Sequence, residues 1–446
     1  MQSDFTTAVS EAKPTFDFVA AHFACEQNRF SDSNPTGFVN LGSAQNSLHE
    51  ERLRRRLADI KFLPEDSKYQ PFDGTAASRA SIADYLSSQL ADSYSGTAKS
   101  ASDFSTPAIS PDNVVVGNGI ISLLEALTVA LLNEGDSVLI PTPVFPGLIN
   151  AMSLRVKSRV ESMPTSASDG FRLSPEDVEA ELHRLQFQGK RVRAVLICSP
   201  GNPVGQVFSQ AELQEFSDIC ECFDCALIVD EVFAGSTFVG NDFVSANVLQ
   251  SDHVHVLGGL SKDFGLAGHA TGWLHSTNTN VRSAVAKQSH FFRLPSPIHR
   301  VIASVLQPTW REAYLNHHQV ELTETANRSR RVLEAAGIPV IESDAGLCQW
   351  LDLRSFLPSA GFQGEFELYE TLLNEHRVHV SPGSGFKAKT PGYFRICFAQ
   401  SKSILNEGLH RLVRGLHSVR RGPVESKIFS IPSSMTGKSL GIQAVE

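Results

Sequence analysis

Between residues 112 and 259 the chain alternates short unbroken apolar runs with stretches whose apolar positions recur every three to four residues. The runs DNVVVGNG (112–119), SVLIPTP (137–143), RAVLICSP (193–200), CALIVDE (225–231) and VHVLGG (254–259) read as strands buried on both faces, because the apolar stretch is not broken by alternating polar positions. IISLLEALTVALL (120–132) and AELQEFSDIC (211–220) read as amphipathic helices between them. Parallel neighbours need a crossover connection, so this alternation predicts an α/β fold with a mostly parallel sheet sandwiched by helices.

The pattern changes after 309. A long charged helical stretch, roughly 309–336, precedes shorter strands LCQWLDL (347–353), RVHVSP (377–382) and YFRICFA (393–399), with helical segments around 364–375 and 402–419. That mixture predicts a smaller α+β domain over 309–422, beside a large domain over 51–308. Residues 1–50 carry turn signals such as SDSNPTG (31–37) and read as an irregular arm belonging with the smaller domain. The tail 423–446 is rich in Ser, Gly and Pro. No internal repeat is evident.

Composition narrows the function classes. At 446 residues the chain can bury two cores. A net charge of -9 without a basic run argues against nucleic acid or an anionic membrane as partner. No apolar stretch approaches the ~18–20 residues that span a bilayer, and MQSDFTTAVSEAKP lacks a signal-peptide pattern, so a cytoplasmic protein is expected. The seven cysteines are scattered and read as reduced thiols. The cluster CECFDC (220–225) lacks a second ligand pair at zinc spacing and is not expected to hold a metal.

Open parallel sheets gather ligands beyond the carboxyl ends of their strands, and four predicted strands end in chemistry. The first runs into Gly119 and a helix N-terminus, an anion cradle. The others end in SPGNPVG with Asn202, in Asp230–Glu231, and in the loop GGLSKDFGLAGHATGW with Lys262. A lysine on a Gly-rich turn suits imine formation with pyridoxal 5'-phosphate, and Asp230 would keep its pyridine nitrogen protonated. Asn202 would bond the ring oxygen, Phe145 would stack on the ring, and Arg395 would take a substrate carboxylate. Freed from the imine, Lys262 can act as general acid and base at the substrate carbon.

The runs NPTGFVNLGSAQNSL (34–48), YQPFDGTAASR (69–79), LLNEGDSVLIPTPVFPG (131–147), CSPGNPVG (198–205), IVDEVFAGSTF (228–238), GLSKDFGLAGHATGW (259–273) and SPGSGFKAKTPGYFRICFA (381–399) resemble, in order, the fold-type I class I/II aminotransferases. Within that group the chain most resembles 1-aminocyclopropane-1-carboxylate (ACC) synthase-like proteins. The resemblance implies a seven-stranded sheet, the residue roles given above, an amino-acid substrate, and a homodimer with active sites at the subunit interface. It also marks departures. Ala270 stands where the family carries a phosphate-gripping arginine, and Gly259 where it carries serine. Phe233 and Phe72 replace tyrosines, and Ile120 replaces a small or hydroxylated residue after Gly119. His269, Ser122, Ser261 and the helix N-terminus are candidate replacements for the lost phosphate contacts. Gln45 stands where ACC synthases carry glutamate, which argues against cyclisation of S-adenosylmethionine. These features point to an aminotransferase of specialised metabolism. A carbon–sulfur lyase or ACC-synthase-like eliminase, and a cofactor-fold protein with only a binding role, remain the alternatives.

Overall fold

The computed structural model describes residues 18–95 and 108–420; the first 17 residues of the arm and the tail 423–446 lie outside the described residues. In chain order the strands are β1 (Val39–Asn40), β2 (Val114–Asn118), β3 (Ser137–Thr142), β4 (Arg159–Pro164), β5 (Val192–Cys198), β6 (Ala226–Asp230), β7 (Val254–Gly259), β8 (Thr271–Ser276), β9 (Cys348–Asp352), β10 (Val378–His379), β11 (Ser381–Pro382) and β12 (Tyr393–Cys397). Strands β2 to β8 form one sheet in the order β2-β8-β7-β6-β5-β3-β4. Every pairing is parallel except the two made by β8, which runs against β2 and β7.

Burial of both faces follows from the unbroken apolar runs. Ala226 and Ile228 of β6 join one core cluster with Val138, Ile140 and Leu196, while Leu227 and Val229 join another with Leu139 and Val195. Each fully buried Val, Leu or Ile side chain among these stabilises the fold by about 1.5–3 kcal/mol over an exposed one. Helix Gly119–Leu131 packs on the first face, and helices Pro175–Phe187 and Gln210–Cys222 on the second. The CECFDC run spans the end of the last of these and the turn before β6, with Cys220 and Cys225 buried and Cys222 exposed.

A second body gathers around the antiparallel order β11-β12-β9, covered by helices Gly361–Asn374 and Lys402–Arg420. The 28-residue helix Pro308–Ala335 runs along it and also reaches the first body through Tyr314.

Three expectations need correction. The single strand predicted over 377–382 is two: β10 pairs with β1 and β11 with β12, the chain changing partner at Val380. The arm is not irregular throughout, since it contains helix Phe18–Glu26 and β1. The loop after β7 holds β8, a strand the apolar pattern hides because Thr271, Gly272, His275 and Ser276 interrupt it. Among the described residues no helix is long and apolar enough to cross a membrane.

Candidate active site

Strands β2, β3, β5, β6 and β7 all end at one edge of the large sheet, and β8 starts there, so the residues after each strand converge. Asp230 closes β6 opposite Cys198 of β5. Lys262 follows β7 in a turn whose carbonyls are held from outside. Asn46 Nδ2 donates to Lys262 O at 2.9 Å and to Asp263 O at 3.1 Å. The Lys262 ammonium donates to Ala44 O at 2.7 Å. The segment around Ala44 is fixed in turn, because Leu41 N donates to His379 O, Cys397 N to Leu41 O and Ser47 N to Ala399 O. Gly42 is required here: a Cβ would overlap the His379 ring.

Arg395 enters from β12 and is 2% exposed. Its Nη1 donates to Asn202 Oδ1 at 3.0 Å and its Nη2 to Gly42 O, while the guanidinium lies 4.6 Å over the Phe386 ring. Its Nε is buried without a hydrogen-bond partner, and among the described residues no carboxylate pairs with it. An arginine buried for structure alone would carry an acidic partner, since an uncompensated buried charge costs several kcal/mol. This one has a donor to spare and faces a lysine.

Asp230 is buried and accepts a single backbone donor, Val232 N at 3.1 Å. Burial pushes its carboxyl up to about 7, against the pull of that donor and of Lys262. Burial, and then the charge of Arg395, pushes the Lys262 ammonium below the usual lysine range. Two neighbouring carboxyls serve the scaffold. Glu231 accepts Ser245 Oγ and Ala246 N, and Asp263 accepts Ser236 Oγ at 2.6 Å and Gly235 N at 2.8 Å. The Asp263 bonds tie the turn after β6 to the loop carrying Lys262.

The anion cradle lies at the same edge. Gly119 opens helix Gly119–Leu131 at φ +76°, a conformation that favours glycine. The first N–H groups of a helix have no partner within it and suit an anion. Gly272 of β8 makes the approach possible, as a Cβ would sit 2.7 Å from Gly119 C and 2.8 Å from Ile120 N. Ala270 borders the cradle, and its carbonyl would lie 3.7 Å from a Cβ on Gly119. At Gly259 a Cβ would come within 2.6 Å of Thr271 O, so the tight β7–β8 pairing leaves no room for the serine of the family pattern. Of the candidate replacements, Ser122 Oγ donates to Asn118 O at 2.8 Å. Ser261 makes no side-chain hydrogen bond among the described residues, so its hydroxyl is free to serve.

Other expected residues fall at the site's margin. Phe145 caps helix Pro146–Ser153 just after β3, its ring folded against Gly147. Phe233 is buried in the core shared with Leu41, Leu347 and Ile396. Gln45 lines a crevice with Asn40, Ser47 and Gln400, and its side-chain amide bonds neither Lys262 nor Arg395. Reasoning from sequence missed Ala44 and Gly42, which act through main-chain carbonyls that no side-chain pattern reveals. It also missed Asn46 and Asp263, though both stand inside runs that carried the resemblance.

An amine, a buried carboxylate, an arginine with an unsatisfied donor and a glycine-lined helix N-terminus fit an aromatic aldehyde with a phosphate arm and a basic ring nitrogen. Residues 36–412 match the family model described as aminotransferase class I and II. The chain is 29% identical over 413 residues to 1-aminocyclopropane-1-carboxylate synthase 8 of Arabidopsis thaliana, covering 87% of this chain and 85% of that protein. It is 29% identical to a probable aminotransferase of the same plant, covering 82% and 75%. The fold is similar to that of aspartate aminotransferase from Thermus thermophilus, solved with maleate, at a TM-score of 0.73 and 20% identity over 93% of this chain and 100% of that one.

Proposed function

The chain belongs to the aminotransferase class I and II family, and from that premise we propose that it binds pyridoxal 5'-phosphate at Lys262 and transfers the amino group of an α-amino acid. When bound, the cofactor's protonated ring supplies the electron sink that lets an amino acid lose its α-proton. Lys262 Nζ is the attachment point and afterwards moves the proton at the substrate Cα. Its depressed basicity suits that task, because more of the amine is neutral near pH 7. Asp230 would face the ring nitrogen, where a cation would favour ionisation of a carboxyl that burial pushes up to about 7. Asn202 would meet the ring oxygen, with Phe145 and Phe233 bordering the ring. Gly119, Ile120 and Ser261 would surround the phosphate. Arg395 grips the substrate α-carboxylate, with Gln45 and Asn202 at the edge of the substrate space.

The observation that carries this reading is the buried Arg395 guanidinium, joined to Asn202, short of one partner at Nε and close enough to depress Lys262. On the same reading, a large domain over 51–308 and a smaller one over 309–422, with the arm on the smaller, would hold these residues in the crevice between them. A homodimer in the cytoplasm is part of the same reading, and the seven free cysteines are at home in a reducing compartment. A carbon–sulfur lyase or ACC-synthase-like elimination uses the same residues up to loss of the α-proton, and the plant synthases among the relatives favour it as the second reading.

The test is product analysis by mass spectrometry. Cofactor-loaded protein is mixed with L-amino acids plus a 2-oxo acid, and separately with S-adenosylmethionine. Amino-group exchange that vanishes in Lys262→Ala is the expected result. Elimination products without exchange would select the lyase, and an unchanged mixture in both arms would refute the proposal.

A further inference from the structure

Away from the active-site crevice, His49, His317 and Glu321 bring three potential ligand atoms within 4.8 Å of one another. His317 and Glu321 stand one turn apart on helix Pro308–Ala335 and therefore share a face. His49 immediately precedes helix Glu50–Ala58. His49 Nδ1 lies 3.3 Å from Glu321 Oε2, and His317 Nε2 lies 3.6 Å from the same oxygen. Tetrahedral zinc, with bonds of about 2.0–2.2 Å, sets its ligand atoms ~3.3–3.6 Å apart. The exposed His317 side chain can close the remaining edge by rotation.

We propose that His49, His317 and Glu321 bind a divalent transition-metal ion of the zinc type, with water at the fourth position. Two histidines and one carboxylate form a ligand set that such ions favour. The His49 side chain is 4% exposed, and the charged group that its Nδ1 meets is Glu321. The open side faces a surface depression whose rim carries Arg52, Arg55, Arg56, Glu51 and Asp59. The arginines are engaged elsewhere. Arg52 donates to Ala313 O, Arg56 to Ser304 O, and Arg55 pairs with Glu51.

The site has a structural consequence that does not depend on the cofactor. Asn46, three residues before His49, holds the carbonyls of Lys262 and Asp263. A metal at His49 fastens that segment to the long helix, behind the Lys262 loop.

The experiment is titration of tag-free full-length protein with Co²⁺, read by its visible ligand-field absorption, then displacement by Zn²⁺. One equivalent should bind, raise the melting temperature, and give way to zinc. His317→Ala and Glu321→Gln, both at partly exposed positions, should each weaken binding by about 10–100-fold or more, whereas His410→Ala should not. Equal affinity in all variants, or no Co²⁺ bound by the parent at tenfold excess, would overturn the proposal.

Discussion

A carboxylate buried as deeply as Asp230, with one backbone donor, opposes folding whenever it ionises without a cation beside it. Below 3.8 it is protonated in folded and unfolded chains alike. Between there and about 7 only the folded chain keeps the proton, so its contribution to stability falls as pH rises through that window. Asp230→Asn keeps the acceptor for Val232 N and removes the ionisation. The cofactor-free variant should melt above the parent at pH 8 and level with it at pH 3, by calorimetry. Its turnover should fall by at least about 10²-fold, because the ring nitrogen loses its counter-charge. Ala270 allows the opposite experiment. The residue already sits at φ 44°, so arginine inherits that backbone strain and adds none. A charge-assisted bond worth about 1.5–3 kcal/mol should tighten pyridoxal phosphate binding by about 10–150-fold in Ala270→Arg, measured by titrating the cofactor-free protein.

Among the elements, strands with unbroken apolar runs were legible because both sheet faces are covered, and Asp230, Asn202 and Lys262 were legible because the strands before them end cleanly. β8 was not. It is fully buried yet built from Thr, Gly, Trp, Leu, His and Ser, and its main-chain polar groups are satisfied by ladder pairing that only the fold supplies. Helix Pro175–Phe187 escaped the apolar pattern although Ser174 and Asp177 form a capping box at its start. At the site, the unreadable part was main chain: Ala44 O and Gly42 O reach Lys262 and Arg395 across more than 200 residues. The β8–helix contact predicts its own test. In Gly272→Ala the added methyl meets backbone atoms at 2.7 and 2.8 Å that cannot rotate away. That overpacking should cost about 1–3 kcal/mol of stability and weaken cofactor binding, whereas Gly268→Ala, with nothing within 4 Å, should change neither.

At the scale of the whole molecule, the surface exposes several aromatic side chains. Tyr69 is 86% exposed and Phe291 85%. Beside Tyr69 the Phe72 ring packs 4.5 Å from His290, with Arg293 4.6 Å over its face. Aromatics with an arginine are the residues that anchor interfaces. In a homodimer Phe291→Asp should weaken self-association by about 30-fold or more and lower activity with it, as followed by sedimentation across protein concentration. In the proposed function Lys262, among all the lysines, receives the cofactor. Borohydride reduction of the pyridoxal-phosphate-loaded protein, followed by peptide mass mapping, addresses it directly. One phosphopyridoxyl group on the peptide containing Lys262 is the expected result. A label spread over surface lysines, with that peptide unmodified, would contradict it.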